Sequence, residues 1–272
     1  MGTDAPIGVF DSGVGGLTVA REIMRQIPNE RIVYFGDTAR LPYGNKSKET
    51  IIRYSRQIIS FLKTEGVKAL VVACNTASAF ALEEIKNEID IPIIGVVKPG
   101  AKTAVSVTKS KKIGIIGTEG TINSGLYTKL IHEHDSSIEV VGKACPLFVS
   151  LVEEGWTDDE ITDLVIARYM QPLKEAKVDT VVLGCTHYPL LRDAVGRFMG
   201  DKVTLVNPAY ETAIELKRLL SEQKLANIKE VDSPSLMYRF YVSDAADKFK
   251  NIANNILPFD IKNTKVINID EY

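Results

Sequence analysis

The chain has 272 residues, 45% of them hydrophobic and 25% charged, with a formal net charge of −2. This composition fits a globular enzyme with a sizeable core in one large or two smaller domains. The near-neutral balance excludes the basic footprint of a nucleic-acid binder, but leaves room for a small anionic substrate held by local groups. The stretch from Met1 to Pro6 is too short and polar for a signal peptide, and no apolar run reaches membrane-spanning length. The three cysteines, Cys74, Cys145 and Cys185, form no C-x-x-C pair, so neither a disulfide framework nor a zinc ribbon is expected, and the compartment expected is the reducing cytoplasm.

In chain order, short apolar runs alternate with longer helical patterns, which predicts an α/β architecture. Strands are expected at Ile7–Phe10, Ile32–Phe35, Ala69–Ala73, Ile93–Val96, Ile113–Ile116, Val140–Val141, Thr180–Leu183 and Val203–Val206. Several are apolar throughout, as parallel strands covered on both faces must be. Helices are expected at Gly16–Gln26, Lys48–Thr64, Ala77–Glu88 and Asp158–Lys174. The run Lys109-Ser-Lys-Lys112 reads as a solvated turn before the Ile113 strand. The remainder, Asn207 to Tyr272, carries helix signals and further strand signals at Met237–Val242 and Lys265–Ile269, and is too short for a third robust domain.

A weak internal repeat relates the two halves. Ile7-Gly-Val-Phe-Asp-Ser-Gly matches Ile113-Gly-Ile-Ile-Gly-Thr-Glu-Gly, and Val67-Lys-Ala-Leu-Val-Val-Ala-Cys74 matches Val178-Asp-Thr-Val-Val-Leu-Gly-Cys185. Cys74 lies 67 residues after Ile7, and Cys185 lies 72 after Ile113. Unrelated α/β domains also share strand–loop patterns, but strand propensity does not account for a cysteine at the same place in both halves. The expectation is two pseudo-twofold-related α/β domains with mainly parallel sheets and the active site in the cleft between them. The first comprises residues 1–97 plus 208–272 and the second residues 98–207.

Each repeated cysteine ends an apolar strand, where open α/β sheets bind their ligands. A helix starting after each motif would bring backbone N–H groups and a positive dipole end, and draw the thiols toward neutral pKa values. Cys145, flanked by Pro146 and apolar residues, reads as packing. The loop Asp11-Ser-Gly-Val-Gly-Gly16 lacks the sequence of a phosphate loop and of a dinucleotide fingerprint. With Asp11 for an ammonium group and helix N–H donors for a carboxylate, it suits a zwitterionic amino acid, although a tight turn capped by Asp11 is the plainer reading. His187 stands two residues after Cys185, where it could tune that thiol, relay a proton or serve only as a buried structural histidine. Arg40 reads equally as a surface charge or a binding group. Metal binding by His132 and His134 is not expected, because no further ligands lie near them.

Six stretches carry a resemblance: Asp11-Ser-Gly-Val-Gly-Gly-Leu, Asp37-Thr-Ala-Arg-Leu-Pro-Tyr-Gly44, Cys74-Asn-Thr-Ala-Ser, Ile115-Ile-Gly-Thr118, Leu151-Val-Glu-Glu-Gly155 and Gly184-Cys-Thr-His-Tyr-Pro189. In this order they resemble the glutamate racemases of the aspartate/glutamate racemase superfamily, over Ile7 to about Leu220. The resemblance implies interconversion of L- and D-glutamate without pyridoxal phosphate or metal, supplying D-glutamate for peptidoglycan. It implies Cys74 and Cys185 as proton donor and acceptor, with Asp11, Glu153 and His187 as supporting ionisable groups. It further implies a pocket lined by Asp11, Ser12, Tyr43, Gly44, Asn75, Thr76, Thr118, Thr186 and His187.

Residue chemistry agrees with that reading, since racemisation removes a proton from one face of Cα and returns one to the other. Asn75, Thr76 and Thr186, beside the thiols, are suited to stabilising the developing carbanion. Of three alternatives, an aspartate racemase stays open because one methylene changes discrimination little. A two-domain binding protein of the periplasmic type is opposed by the missing signal peptide and the paired cysteines, and a redox dithiol fails unless Cys74 and Cys185 approach within disulfide range. No cofactor, nucleic acid or membrane is expected as a partner, and a homodimer is compatible with the sequence.

Overall fold

The computed structural model describes residues 2–229, 237–262 and 264–272. Met1 of the N-terminal stretch, and residues 230–236 and 263 of the tail, lie outside the described residues. The first half lays down strands β1 (Ile7–Asp11), β2 (Ile32–Gly36), β3 (Ala69–Val72) and β4 (Ile93–Gly95). Its helices are α1 (Leu17–Gln26), α2 (Lys48–Thr64), α3 (Asn75–Phe80) and α4 (Leu82–Ile85). The second half gives β5 (Lys112–Gly117), β6 (Glu139–Ala144), β7 (Thr180–Gly184) and β8 (Thr204–Val206). Around them lie α5 (Val97–Val107), α6 (Glu119–Asn123), α7 (Leu126–His134), α8 (Leu147–Glu153), α9 (Glu160–Glu175) and α10 (Arg192–Met199). The tail adds α11 (Pro208–Glu222), β9 (Tyr238–Val242), α12 (Ala246–Ile256) and β10 (Thr264–Val266).

The strands form one sheet in the order β10-β9-β2-β1-β3-β4 and a second in the order β6-β5-β7-β8, with every pairing parallel. The order second–first–third–fourth strand recurs in both, so the repeat seen in the sequence is a repeat of topology. Both tail strands extend the first sheet beyond β2.

Apolar strands follow from this layering. In β1 and β2, Ile7, Val9, Ile32 and Tyr34 enter the core beneath α1, α11 and α12, whereas Phe10, Val33 and Phe35 enter the core beneath α2 and α3. In β7, Val181 and Leu183 face α8, α9 and α10, and Val182 faces α5 and α7. Side chains alternate between faces with period two, and helices cover both faces, so no position can be polar without a partner.

Local differences from the expected elements have simple causes. The helix expected over 77–88 breaks at Ala81 into α3, α4 and a 3-10 turn at Lys86–Glu88. β6 is longer than Val140–Val141; as an edge strand it exposes Glu139, and polar residues interrupt its apolar pattern. The last expected strand is only Thr264–Val266, followed by a 3-10 turn at Ile269–Glu271. Asp159 caps α9 by accepting the Thr162 N–H at 2.9 Å. No described helix is long and apolar enough to cross a membrane.

Candidate active site

Both repeated thiols sit just beyond the carboxyl end of the third strand of their sheets, and each is only 6% exposed. Cys74 is the N-cap of α3, and its Sγ accepts the Ala77 N–H at 3.5 Å. Cys185 is not followed directly by an α-helix: Thr186 and His187 lead into a 3-10 turn at Tyr188–Leu191 and then into α10. Its partner is a side chain instead. Cys185 Sγ lies 3.9 Å from His187 Nδ1, and His187 Nε2 lies 3.2 Å from Glu153 Oε1 at the end of α8.

The two thiols therefore have unlike surroundings. Burial pushes the Cys74 thiol up to about 12, and negative charge on Asp11 and on Cys185 pushes it the same way. Hydrogen bonds from Ala77 and Ser12 only partly counter this. The expectation that a helix N-terminus lowers this thiol toward neutrality is thus overturned, because desolvation of a buried anion outweighs one backbone amide. At His187 burial opposes the charged ring, but the hydrogen bonds to Cys185 and Glu153 and the charges on Cys185 and Asp11 prevail, lifting it to about 10. Glu153 is held below the usual carboxylate range chiefly by its hydrogen bond to His187. A protonated His187 stabilises negative charge on the Cys185 sulfur.

Asp11, at the end of β1, is fully buried, and burial raises its carboxyl against the pull of His187 and three backbone N–H groups. Its Oδ2 accepts the N–H groups of Gly13 at 3.0 Å and Gly16 at 2.9 Å. Those amides, expected to meet a substrate carboxylate, are spent on Asp11, which caps its own loop. Oδ1 remains, with Thr186 Oγ1 at 3.5 Å. The loop lies directly against the second cysteine motif: a Cβ on Gly15 would come within 2.5 Å of His187 Nδ1 and closer still to Thr186 Oγ1. Thr18 of α1 reinforces the contact by donating to the Thr186 carbonyl at 2.9 Å.

The other named residues come from both units. Ser12, Asn75, Thr76 and Thr186 are all buried. Thr76 Oγ1 is 2.9 Å from Thr118 Oγ1, across the gap between the first unit and α6 of the second. A Cβ on Gly44 would approach Thr118 Cβ to 2.7 Å, so the 3-10 turn Tyr43–Asn45 packs directly on that threonine. Tyr43 donates its hydroxyl to Asp37 Oδ2 at 2.5 Å, and Asp37 Oδ1 accepts from Ser243 at 2.8 Å.

Four residues join this network without having been singled out in the sequence: Thr121, Tyr127, Asp37 and Ser243. Thr121 Oγ1 lies 3.0 Å from Thr118 Oγ1 and 3.3 Å from Thr76 Oγ1. Tyr127 of α7 donates to Asn75 Oδ1 at 2.8 Å. Asp37 had a signal in its motif; Thr121 and Tyr127 had none beyond helical spacing.

Arg40 is neither a free surface charge nor a pocket group. Its guanidinium stacks 4.3 Å over the Tyr54 ring and pairs with Asp37 and Asp270. Cys145 is fully buried in the core between the second sheet and α8, α9 and α10. His132 Nε2 meets the Ile138 carbonyl at 2.9 Å, and no cluster of three metal-ligating side chains occurs among the described residues.

Two buried thiols thus stand at equivalent strand ends of two repeated parallel sheets. The chain belongs to the Asp/Glu/Hydantoin racemase family, whose model matches residues 7–214. It is 51% identical over 251 residues to a glutamate racemase of Geobacter metallireducens, covering 92% of each chain. It superposes on a glutamate racemase isoform of Bacillus anthracis with a TM-score of 0.92 at 42% identity, covering 98% of both chains. The glutamate racemase of Francisella tularensis, solved in complex with D-glutamate, gives a TM-score of 0.92 at 37% identity over 99% of this chain and 100% of that one.

Proposed function

We propose that the protein is a cofactor-independent glutamate racemase that interconverts L- and D-glutamate, supplying D-glutamate for peptidoglycan synthesis in the cytoplasm. The observation that carries this is the pair of buried thiols at topologically equivalent strand ends, with unlike polar neighbours, in a chain half identical to a glutamate racemase. The sheets and their cores support a division into residues 1–97 plus 208–272 and residues 98–207, with the substrate between the two units. Small-molecule substrate is the partner this site suits, and a homodimer is compatible with it.

Cys185, beside protonated His187, is poised as a base, and Cys74, which holds its proton tightly, as an acid. In one direction Cys185 takes the α-proton while Cys74 delivers its own to the opposite face of Cα; in the other direction the roles exchange. Each unit of pKa mismatch between a thiol and the α-carbon adds about 1.36 kcal/mol to the barrier, so fixed donors must stabilise the carbanion. Asn75, Thr76, Thr118 and Thr186, with Ser12, Tyr43 and Gly44, supply hydroxyl and amide groups around the substrate's two carboxylates. Asp11 Oδ1 faces Thr186, where it suits the ammonium group. Glu153 acts through His187 by keeping the ring protonated.

The test is incubation of the pure protein in D2O with L-glutamate, D-glutamate and L-aspartate separately. Deuterium at Cα and loss of optical rotation are expected with both glutamates. Absence of exchange from glutamate, or faster exchange from aspartate, overturns the assignment.

A further inference from the structure

Asn75 follows the first catalytic thiol directly, yet the group that holds its side chain comes from the other half of the molecule. Tyr127 lies on α7, packed against the second sheet: a Cβ on Gly184, the residue before Cys185, would lie 3.3 Å from Tyr127 Cε2. Its hydroxyl crosses to Asn75 Oδ1 at 2.8 Å, and both side chains are buried. Asn75 in turn lines the same small cavity as Cys185 and Thr186. Tyr127 thus sits under the site, touching the residue after one thiol and the residue before the other.

An asparagine amide has two unlike ends. Turned one way it offers –NH2 to a ligand, and turned the other way it offers a carbonyl oxygen, which repels a carboxylate. We propose that Tyr127 is a positioning residue that commits the Asn75 oxygen to the phenol and so leaves the Asn75 –NH2 to hold a substrate carboxylate. This rests on the reading above that Asn75 contacts substrate. Burial, and then negative charge on Cys185, push the Tyr127 phenol well above its usual range, so it remains a hydrogen donor throughout the working range of the site. The role suits a racemase in particular. The carboxylates stay in place while the hydrogen on Cα changes sides, so a donor fixed by the scaffold serves both enantiomers equally.

The experiment is a double-mutant cycle of Tyr127→Phe and Asn75→Ala, with KM and kcat measured for L- and D-glutamate. An equilibrium constant of one forces kcat/KM to fall equally in both directions, so the split between KM and kcat carries the information. Tyr127→Phe keeps the ring and its packing, and is expected to raise KM for both enantiomers about fivefold to tenfold while kcat changes about twofold or less. In the Asn75→Ala background the same substitution should leave KM within about twofold, because the group it positions is gone. If Asn75→Ala raises KM but Tyr127→Phe does not, or if Tyr127→Phe costs the same in both backgrounds, Tyr127 is only packing and the inference fails. If Asn75→Ala itself leaves KM unchanged, the assignment of Asn75 to the substrate fails and the inference fails with it.

Discussion

His187 Nδ1 stands 3.9 Å from the Cys185 sulfur, and the same ring reaches Glu153 Oε1 at 3.2 Å on its other side. Cys74, which occupies the equivalent place in the first sheet, instead has the Ala77 N–H at 3.5 Å and the charge of Asp11 nearby. The fold repeats, but the electrostatics around its two sulfurs do not, and the predictions concerning His187 follow from that asymmetry.

Glu153→Gln removes the carboxylate that helps keep His187 charged. Glu153 raises the His187 pKa, so its loss lowers that pKa, and the ring then sheds its proton at a lower pH. A fall in kcat/KM of about tenfold is expected, of the size usual for partners that orient a functional histidine. The alkaline limb of the pH–rate profile should move to lower pH. An unmoved limb would show that Glu153 does not act through His187.

His187 also links stability to pH. Its folded value of about 10 lies above its ordinary 6.5, so its protonation stabilises the fold fully below pH 6.5 and loses that effect as pH rises through about 10. Thermal unfolding of the wild type and of His187→Asn should therefore differ most at about pH 6.5 and below, and converge by about pH 10.5. A gap that widens with pH would contradict the charged state assigned to the ring.

Gly15→Ala tests the packing of the first unit's loop on the second thiol motif. The added methyl would meet His187 Nδ1 and Thr186 Oγ1, neither of which is a free flexible end. Displacing such groups by about an ångström is expected to cut kcat/KM about a hundredfold. The circular dichroism spectrum should remain that of a folded α/β protein. Full activity would mean that the loop gives way more readily than this close packing allows.

How much of this was legible in the sequence depended on whether a residue's job was local. Cys74 and Cys185 announced themselves because each ends an all-apolar run, and that run is dictated by helices on both faces of a parallel sheet. Asp11, Ser12 and the glycines were visible as a strand followed by small residues. Their hydrogen bonds were not: from Asp11-Ser-Gly-Val-Gly-Gly alone, donors for substrate and donors for Asp11 look alike. Tyr127 and Thr121 were illegible for a different reason. Each occupies an ordinary inward position on a helix, and only the approach of the two units brings it to Asn75 or Thr76. Helix α5 also went unread, since Pro99 and Gly100 near its start look like a turn, whereas proline is tolerated in a first helical turn.

The last prediction separates the three cysteines. Cys145→Ser places a hydroxyl in a buried site where the native sulfur lies 3.6 Å from the Lys143 carbonyl, an acceptor that a serine hydroxyl can use. A stability loss of about 1 kcal/mol with nearly full activity is expected. Cys74→Ser and Cys185→Ser should each abolish racemisation, because a hydroxyl is too weak an acid to supply the base. Racemisation alone cannot distinguish the two thiols, since both directions need both groups. A partial reaction can. With a glutamate analogue bearing a leaving group at the β-carbon, loss of the α-proton is followed by elimination, and no second thiol is required. Each single variant keeps one base on one face of Cα and should therefore eliminate from one enantiomer only. The two variants should show opposite preferences, because the proposed mechanism requires the two sulfurs to act from opposite sides of the substrate. Elimination from the same enantiomer by both variants would mean that the sulfurs do not oppose one another, and Cys145→Ser as damaging as the other two would remove the distinction between a core thiol and a reacting one.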